Sequence, residues 1–385
     1  MRIGFLLNHM AGHQVAHALP VAMAMGGMTN RAQIEILASP GETEHQVRRS
    51  LSRYPGSTAQ VSVLHDAAPI ARTLHRASGR ALPVDRLSIL HRNLDRFRAL
   101  DALVTPEKTA LKLRSMFGLD RLKFIHTRHG AGDRAVGFDK ASGDFDMVLV
   151  SGAKIRDRLA ERGLLKEGGY AIVGYPKFDA HADRPKRKLF DNDLPTVVYN
   201  PHPSPALSSW YRIGADVLRY FAAQRKFNLV FAPHVMLFRK RINVSLSPLG
   251  LGLPGSIPKE AANCPNILID TSGPALLDMT YTDAADIYLG DASSQVYEFL
   301  RTPRPCIFLN PARQAWRGDA DFAHWRTGPV AHTIAELDRA LKLSLTGPHA
   351  YAREQEELFR YSFDLTEEPS SRRAAAAILK FLGLR

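Results

Sequence analysis

The sequence is poor in the features that most quickly assign a class. Only two of its 385 residues are cysteine, Cys264 and Cys306, both in apolar surroundings and without CxxC spacing. That leaves no disulfide framework and no zinc knuckle, and it fits a reducing compartment. No stretch reaches the ~18–20 apolar residues that a bilayer-spanning helix needs. The first residues do not read as a secretory leader, because Asn8, His9 and His13 break the apolar run early. There is no internal repeat and no low-complexity tract. GxSxG, GxxxxGK[ST] and a GxGxxG after the first strand are all missing, which argues against a serine hydrolase, a P-loop NTPase and an ordinary NAD enzyme. The run HQVAH has the i, i+4 histidine spacing of a zinc-protease helix, His13 and His17. Gln14 stands where the acidic base would be, and no third ligand is evident. Neither a metal nor a cofactor is expected.

What is present is an ordinary globular composition, 45% hydrophobic and 23% charged, at a length that suits two domains. The formal charge is +13 and the pI about 9.8. Its cations are spread along the chain rather than gathered in a tail. Such a field favours polyanions, anionic membrane surfaces or phosphorylated substrates without choosing among them. No zinc finger or aromatic RNP motif is found, so nucleic acid is not the expected partner.

Short apolar runs recur with helical stretches between them. The first series lies at 3–7, 34–38, 102–105, 123–126, 147–151 and 170–174. A second lies at 196–199, 228–231, 267–270, 287–289 and 306–309. Strands alternating with helices at this spacing predict parallel sheets with crossover helices. The charged stretch 182–195, which contains Pro185, reads as a linker. The expected organisation is α/β: two Rossmann-like domains, 1–181 and 196–369, facing a cleft. A C-terminal helix over 370–385 packs back. Pro and Gly are dense over 239–259, where an insertion is expected.

The densest signal is the run 282–310. An apolar strand stops at Gly290-Asp291, Ser293 and Ser294 open an amphipathic segment that ends near Pro303, and another apolar run follows. Serine hydroxyls and free N–H groups at a helix N-terminus, beyond the carboxyl end of a buried strand, suit a phosphate. Asp291 belongs to that turn. Glu298, five residues after Ser293, could accept from ribose hydroxyls, or could be a solvated helix carboxylate. His202 in YNPHP and His234 in APH each follow an apolar strand and could donate to a diphosphate, or could be plain turn residues. In GYPKFD, Lys177 could pair with phosphate, or the motif could be a simple strand-to-linker turn. In HTRHGAGDR, His129 follows a strand and precedes a glycine. It could take a proton from a hydroxyl near neutral pH, or merely bond backbone.

These pieces resemble, in order, the motifs of the CDP-glycerol glycerophosphotransferase family, the teichoic-acid polymerase and primase type with GT-B architecture. HGAGDR, beginning at His129, is similar to that family's HGTPLK. GYPKFD is similar to GYPRxD, and YNPH lies where YAPT is found. ADIYLGDASSQVYE is similar to aDxxxtDYSSxxfD. The resemblance runs from about His126 to Leu309. Ala131-Gly132 stands in place of Thr-Pro, Ala292 in place of an aromatic, His202 in place of Thr and Arg134 in place of Lys.

The resemblance implies a transferase in which His129 is the base and Arg134 keeps a catalytic charge. Ser293, Ser294 and His234 would hold the donor diphosphate. The expected partners are a CDP-polyol or nucleotide-sugar donor and a glycan or lipid-linked acceptor. The expected location is cytoplasmic, with room for peripheral contact with anionic membrane on the inner face. A GT-B glycosyltransferase using a UDP-, GDP- or CMP-sugar, and a degenerate nucleotide- or glycan-binding protein, are the alternatives left open.

Overall fold

The computed structural model describes residues 1–8, 14–78, 83–128, 130–182, 185–246, 249–346 and 349–384. The chain divides into two compact units. Unit 1 comprises Met1–His129, Phe138–Ala182 and Arg360–Arg385; unit 2 comprises Gly130–Gly137 and Asp183–Phe359.

Among the described residues, unit 1 holds seven strands: β1 (Arg2–Leu7), β2 (Gln33–Ala38), β3 (Gln60–Val63), β4 (Ala102–Thr105), β5 (Lys123–His126), β6 (Met147–Val150) and β7 (Tyr170–Ile172). They form one sheet in the order β3-β2-β1-β4-β5-β6-β7, and every pairing is parallel. Strands such as MVLV of β6 are apolar at each position because helices cover both faces of the sheet. One face packs on the helix Val15–Gly26 and on the C-terminal helix Ser370–Phe381, through Ala374, Ala375, Ile378 and Leu379. The other face buries Leu90, Phe97, Leu113 and Phe124.

The C-terminal helix is therefore part of this core, and a motif read from the sequence helps to anchor it. Asp179 closes GYPKFD. Its carboxylate accepts the N–H groups of Ser371 (2.6 Å) and Ser370 (3.3 Å), at the start of that helix. This is an N-cap supplied from a distant part of the chain. The Ser370 hydroxyl in turn accepts the Tyr175 N–H at 2.9 Å.

Unit 2 holds β8 (Thr196–Asn200), β9 (Asn228–Phe231), β12 (Ile267–Ile269), β13 (Ile287–Gly290), β14 (Cys306–Leu309) and β15 (Val330–Ala331), all parallel, in the order β12-β9-β8-β13-β14-β15. Counted within the unit this is 3-2-1-4-5-6, the doubly wound dinucleotide-fold order. The strand order reverses between β8 and β13, so the crevice beyond their carboxyl ends is where such sheets take ligands. Between β9 and β12 the chain adds an antiparallel hairpin, β10 (Asn243–Leu246) and β11 (Leu249–Gly252).

The two parallel sheets agree with the expected fold class. β3, β15 and the hairpin were not foreseen. β3 (QVSV) is a half-exposed edge strand, and β15 is two residues long. The amphipathic segment after Ser294 is not the extended helix expected. It is a single turn, Val296–Phe299, with all four residues buried.

Candidate functional site

The carboxyl ends of β8, β9 and β13 lie side by side in unit 2, and each carries a residue singled out in the sequence. After β8 come Pro201 and His202. The His202 Nδ1 accepts the Ser204 N–H at 3.0 Å. After β9 come Pro233 and His234, whose Nδ1 accepts the Met236 N–H at 3.2 Å. The two histidines thus share one local arrangement: a backbone N–H two residues on occupies Nδ1. In a neutral ring the proton then sits on Nε2, which becomes a donor. The ring centroids are 6.0 Å apart.

Arg134 joins this pair. Segment 130–137 leaves β5 of unit 1 in sequence but packs within unit 2. One Arg134 guanidinium nitrogen lies 3.4 Å from the His202 Nε2. With Nδ1 already accepting, this sets one N–H donor beside another. An acceptor oxygen suits both better than they suit each other. Burial pushes the His202 imidazole well below its usual pKa, and His234, Arg134 and His324 add to the shift. The ring is therefore neutral at pH 7 and keeps its Nε2–H. Burial also lowers the Arg134 pKa, against the pull of Asp321 and Asp291.

The Gly290-Asp291-Ala292-Ser293-Ser294 turn after β13 divides its duties. Asp291 is fully buried and faces inward. Its carboxylate accepts from the N–H groups of His202 (2.8 Å), Ser209 (2.6 Å) and Ala292 (2.7 Å) and from the Ser209 hydroxyl (2.8 Å). Burial raises its pKa while these donors lower it. A carboxylate so occupied fixes the β8 and β13 loops together and does not present itself to a phosphate, which would repel it. Ser293 is also buried, and its hydroxyl accepts the Gln295 N–H at 3.4 Å. Ser294 is exposed. With only one helical turn following, the aligned peptide dipoles expected to draw a phosphate there are few. Glu298 sits inside that turn and is buried. Lys177 belongs to unit 1, on the turn Pro176–Asp179, where it is buried and its carbonyl lies 2.9 Å from the His181 Nδ1. His129 lies outside the described residues. On either side of it, Arg128 and Gly130 have φ values of 49° and 74°, in the left-handed region.

Sequence reasoning missed the network beneath these loops. Asp133 is buried, and both of its oxygens lie 2.6 Å from the Tyr297 hydroxyl. His324 places Nδ1 2.9 Å from Asp133 and Nε2 2.8 Å from the Asp291 carbonyl, which also accepts the Trp325 Nε1–H at 2.9 Å. Segment 130–137, the β13 turn and the 3-10 stretch Ala320–Thr327 are thereby tied through buried polar atoms. Asp133 stood inside the quoted motif and could have been flagged as its inward residue. His324 had no local signal. His17, of the zinc-protease decoy, is buried with its ring against Tyr175 at 5.2 Å, and its would-be partner His13 lies outside the described residues.

In architecture the chain is GT-B-like: two Rossmann-like parallel sheets, of seven and six strands, in one polypeptide. It is similar in fold to a UDP-N-acetylglucosamine 2-epimerase, with a TM-score of 0.61 and 12% identity, over 100% of this chain and 96% of the other. The UDP-GlcNAc 2-epimerase from Neisseria meningitidis bound to UDP-GlcNAc gives 0.55 and 14%, with 100% of both chains covered. The wall teichoic acid polymerase TagF soaked with CDPG gives 0.59 and 13%, over 99% of this chain and 88% of that one. At such identities the likeness shows the fold alone. No protein-family model matches the sequence, and no curated protein matches it.

Proposed function

We propose that this chain is a transferase that moves glycerol phosphate, or a related polyol phosphate, from a CDP-activated donor to a hydroxyl of an envelope glycan or lipid-linked acceptor. The observation that carries the reading is the juxtaposition of the Arg134 guanidinium and the His202 Nε2 at 3.4 Å, beside His234, at the switch point of unit 2. Imidazole N–H groups and a fixed guanidinium suit a diphosphate, and the β8 and β13 loops are braced from below by Asp291.

In this reading the acceptor hydroxyl gives its proton to His129, and its oxygen attacks the β-phosphorus of the donor. A new P–O bond forms, the bridging P–O bond breaks, and CMP leaves with the electron pair. Arg134, His202 and His234 stabilise charge on the leaving phosphate. Ser294, exposed at the β13 turn, contributes a hydroxyl. Ser293 and Asp291 act by holding the turn.

A nucleotide-sugar enzyme is the second reading, favoured by the fold shared over full length with UDP-GlcNAc 2-epimerases. A thermal-shift panel of CDP, CMP, UDP, GDP and ADP separates the two, since a ligand of the native state raises Tm. Stabilisation by CDP or CMP, reduced in Ser294→Ala, supports the polyol-phosphate reading. CMP release that is lost in His129→Ala while nucleotide binding persists supports the role of the base. A preference for UDP moves the assignment to a sugar substrate, and silence across the panel removes both.

A further inference from the structure

The hairpin β10–β11 presents an apolar face that, among the described residues, nothing in unit 2 covers. Val244 and Leu251 are cross-strand partners, and Leu249 stands two residues from Leu251 on the same side of the ribbon. Ile242 and Leu253 continue the row just beyond the strand ends. All five are exposed, Leu249 at 80%, Leu251 at 74% and Leu253 at 68% of their full accessibility. The other side of the ribbon is pressed onto the unit. A Cβ on Gly250 would come within 3.0 Å of the Ala206 N, and one on Gly252 within 2.6 Å of the Tyr211 ring. Asn243 is buried there, donating to the Tyr211 hydroxyl (2.9 Å) and the Leu237 carbonyl (2.7 Å). The exposed face is therefore held in a fixed orientation. Isolated apolar side chains on a surface need no explanation, but a contiguous row of five does.

The charge around the row identifies what it fits. Arg239, Lys240 and Arg241 run directly into Ile242. From Phe227 to Lys259 the chain has four Lys and Arg and no Asp or Glu. Two copies stacked through this face would bring those like charges together. A bilayer surface of anionic lipid meets both requirements, because aliphatic side chains enter the headgroup–acyl boundary while cations stay at the phosphates. Among the described residues no helix is long and apolar enough to cross a membrane, so the contact would be interfacial.

We infer that the outer face of the β10–β11 hairpin docks this protein onto anionic membrane, inserting Val244, Leu249, Leu251 and Leu253 beside the 239–241 cations. The inference is independent of the donor bound at the switch point.

The test is cosedimentation of the full chain with vesicles of phosphatidylcholine alone and of phosphatidylcholine with phosphatidylglycerol. The native chain should bind the anionic vesicles and release at high salt. Leu249→Ser with Leu251→Ser should weaken binding by more than roughly tenfold while Tm stays unchanged. As a second measurement, Leu251→Trp should show a blue-shifted emission only with anionic vesicles. Failure of the native chain to bind, undiminished binding by the double serine variant, or an unshifted Leu251→Trp emission overturns the inference. A native dimer that the double variant converts to monomer, without vesicle binding, assigns the face to a second copy and also overturns it. The nucleotide panel on the same samples reports separately on the active-site reading.

Discussion

Gly132 lies directly against Ser294: a Cβ at position 132 would come within 2.9 Å of the Ser294 Cβ. The loop that follows position 129 is thus seated on the turn that follows β13, and the absence of a side chain at 132 sets how closely. Gly132→Ala should push the two apart, destabilising unit 2 by about 1–3 kcal/mol and weakening its response to nucleotide. Adding Ser294→Gly, which removes the opposing Cβ, should recover most of the lost Tm but not the nucleotide response that the proposed function assigns to the hydroxyl. Thermal melts of the single and double variants decide it. An unchanged Tm in Gly132→Ala would mean that the loop and the turn do not meet.

Much of the two-sheet fold was legible because buried parallel strands are written as short continuous apolar runs. Lys123–His126, Asn228–Phe231 and Cys306–Leu309 coincide with their sequence readings. The hairpin was hidden because its outward residues are aliphatic and its inward residues are Gly, Ser and Asn, the reverse of the usual soluble pattern. At the candidate site, His202, His234, Arg134 and Ser294 were visible as polar residues just after apolar runs. Their division of labour was not. Asp291 and Ser293 look like ligand contacts in one dimension but are buried, with partners that come from residues 82 and 89 positions away or from the turn itself. Asp133 and His324 are 191 residues apart, beyond any local pattern.

That Asp133–His324 pair should be worth more to stability than its surface counterparts. Both side chains are buried, and removing one member leaves the other's charge or hydrogen-bonding capacity uncompensated. Asp133→Ala should cost about 3–5 kcal/mol in chemical denaturation. Tyr297→Phe, which removes one donor to the same carboxylate, should cost about 1–3 kcal/mol. By comparison, removing Glu357 from its exposed pair with Arg353 should cost little, because water and salt screen that pair. A loss in Asp133→Ala no larger than that of the exposed pair would show the network to be dispensable.

Glu107, just after β4 in unit 1, should make stability depend on pH. Burial raises its pKa from 4.5 to about 7 and outweighs Arg86, whose guanidinium lies 3.4 Å away. Because the folded value lies above the unfolded one, the fold retains a proton that the unfolded chain releases. The contribution is fully present below pH 4.5 and is lost as pH rises through 7, a total on the order of 3 kcal/mol at about 1.4 kcal/mol per pH unit. Glu107→Gln, which is neutral at every pH, should remove this dependence and raise Tm at neutral and alkaline pH. Melting curves of both proteins across that range are the check. Parallel pH profiles would show that the carboxylate is already comfortable as an anion.

His202 should impose the opposite slope and offers a test of its tautomer. Its folded pKa lies well below the ordinary 6.5, so the unfolded chain takes up a proton that the fold refuses. Its contribution is present above pH 6.5 and falls away as the solution is acidified below it. In binding, the same assignment makes His202 a neutral Nε2–H donor, its Nδ1 being occupied by the Ser204 N–H. Diphosphate affinity should then be flat from mildly alkaline pH down to 6.5, once the phosphates' own titration is subtracted. His202→Phe, which keeps a planar ring but no donor, should weaken binding by about 1.5–3 kcal/mol, the range for a hydrogen bond to a charged group. Calorimetric titration with the nucleotide that stabilises the fold measures both effects. Affinity that climbs about tenfold as pH falls toward 6.5 would mean that the ring binds as a cation. Nδ1 would then have released its backbone N–H, and the paired-donor geometry with Arg134 would have to be redrawn.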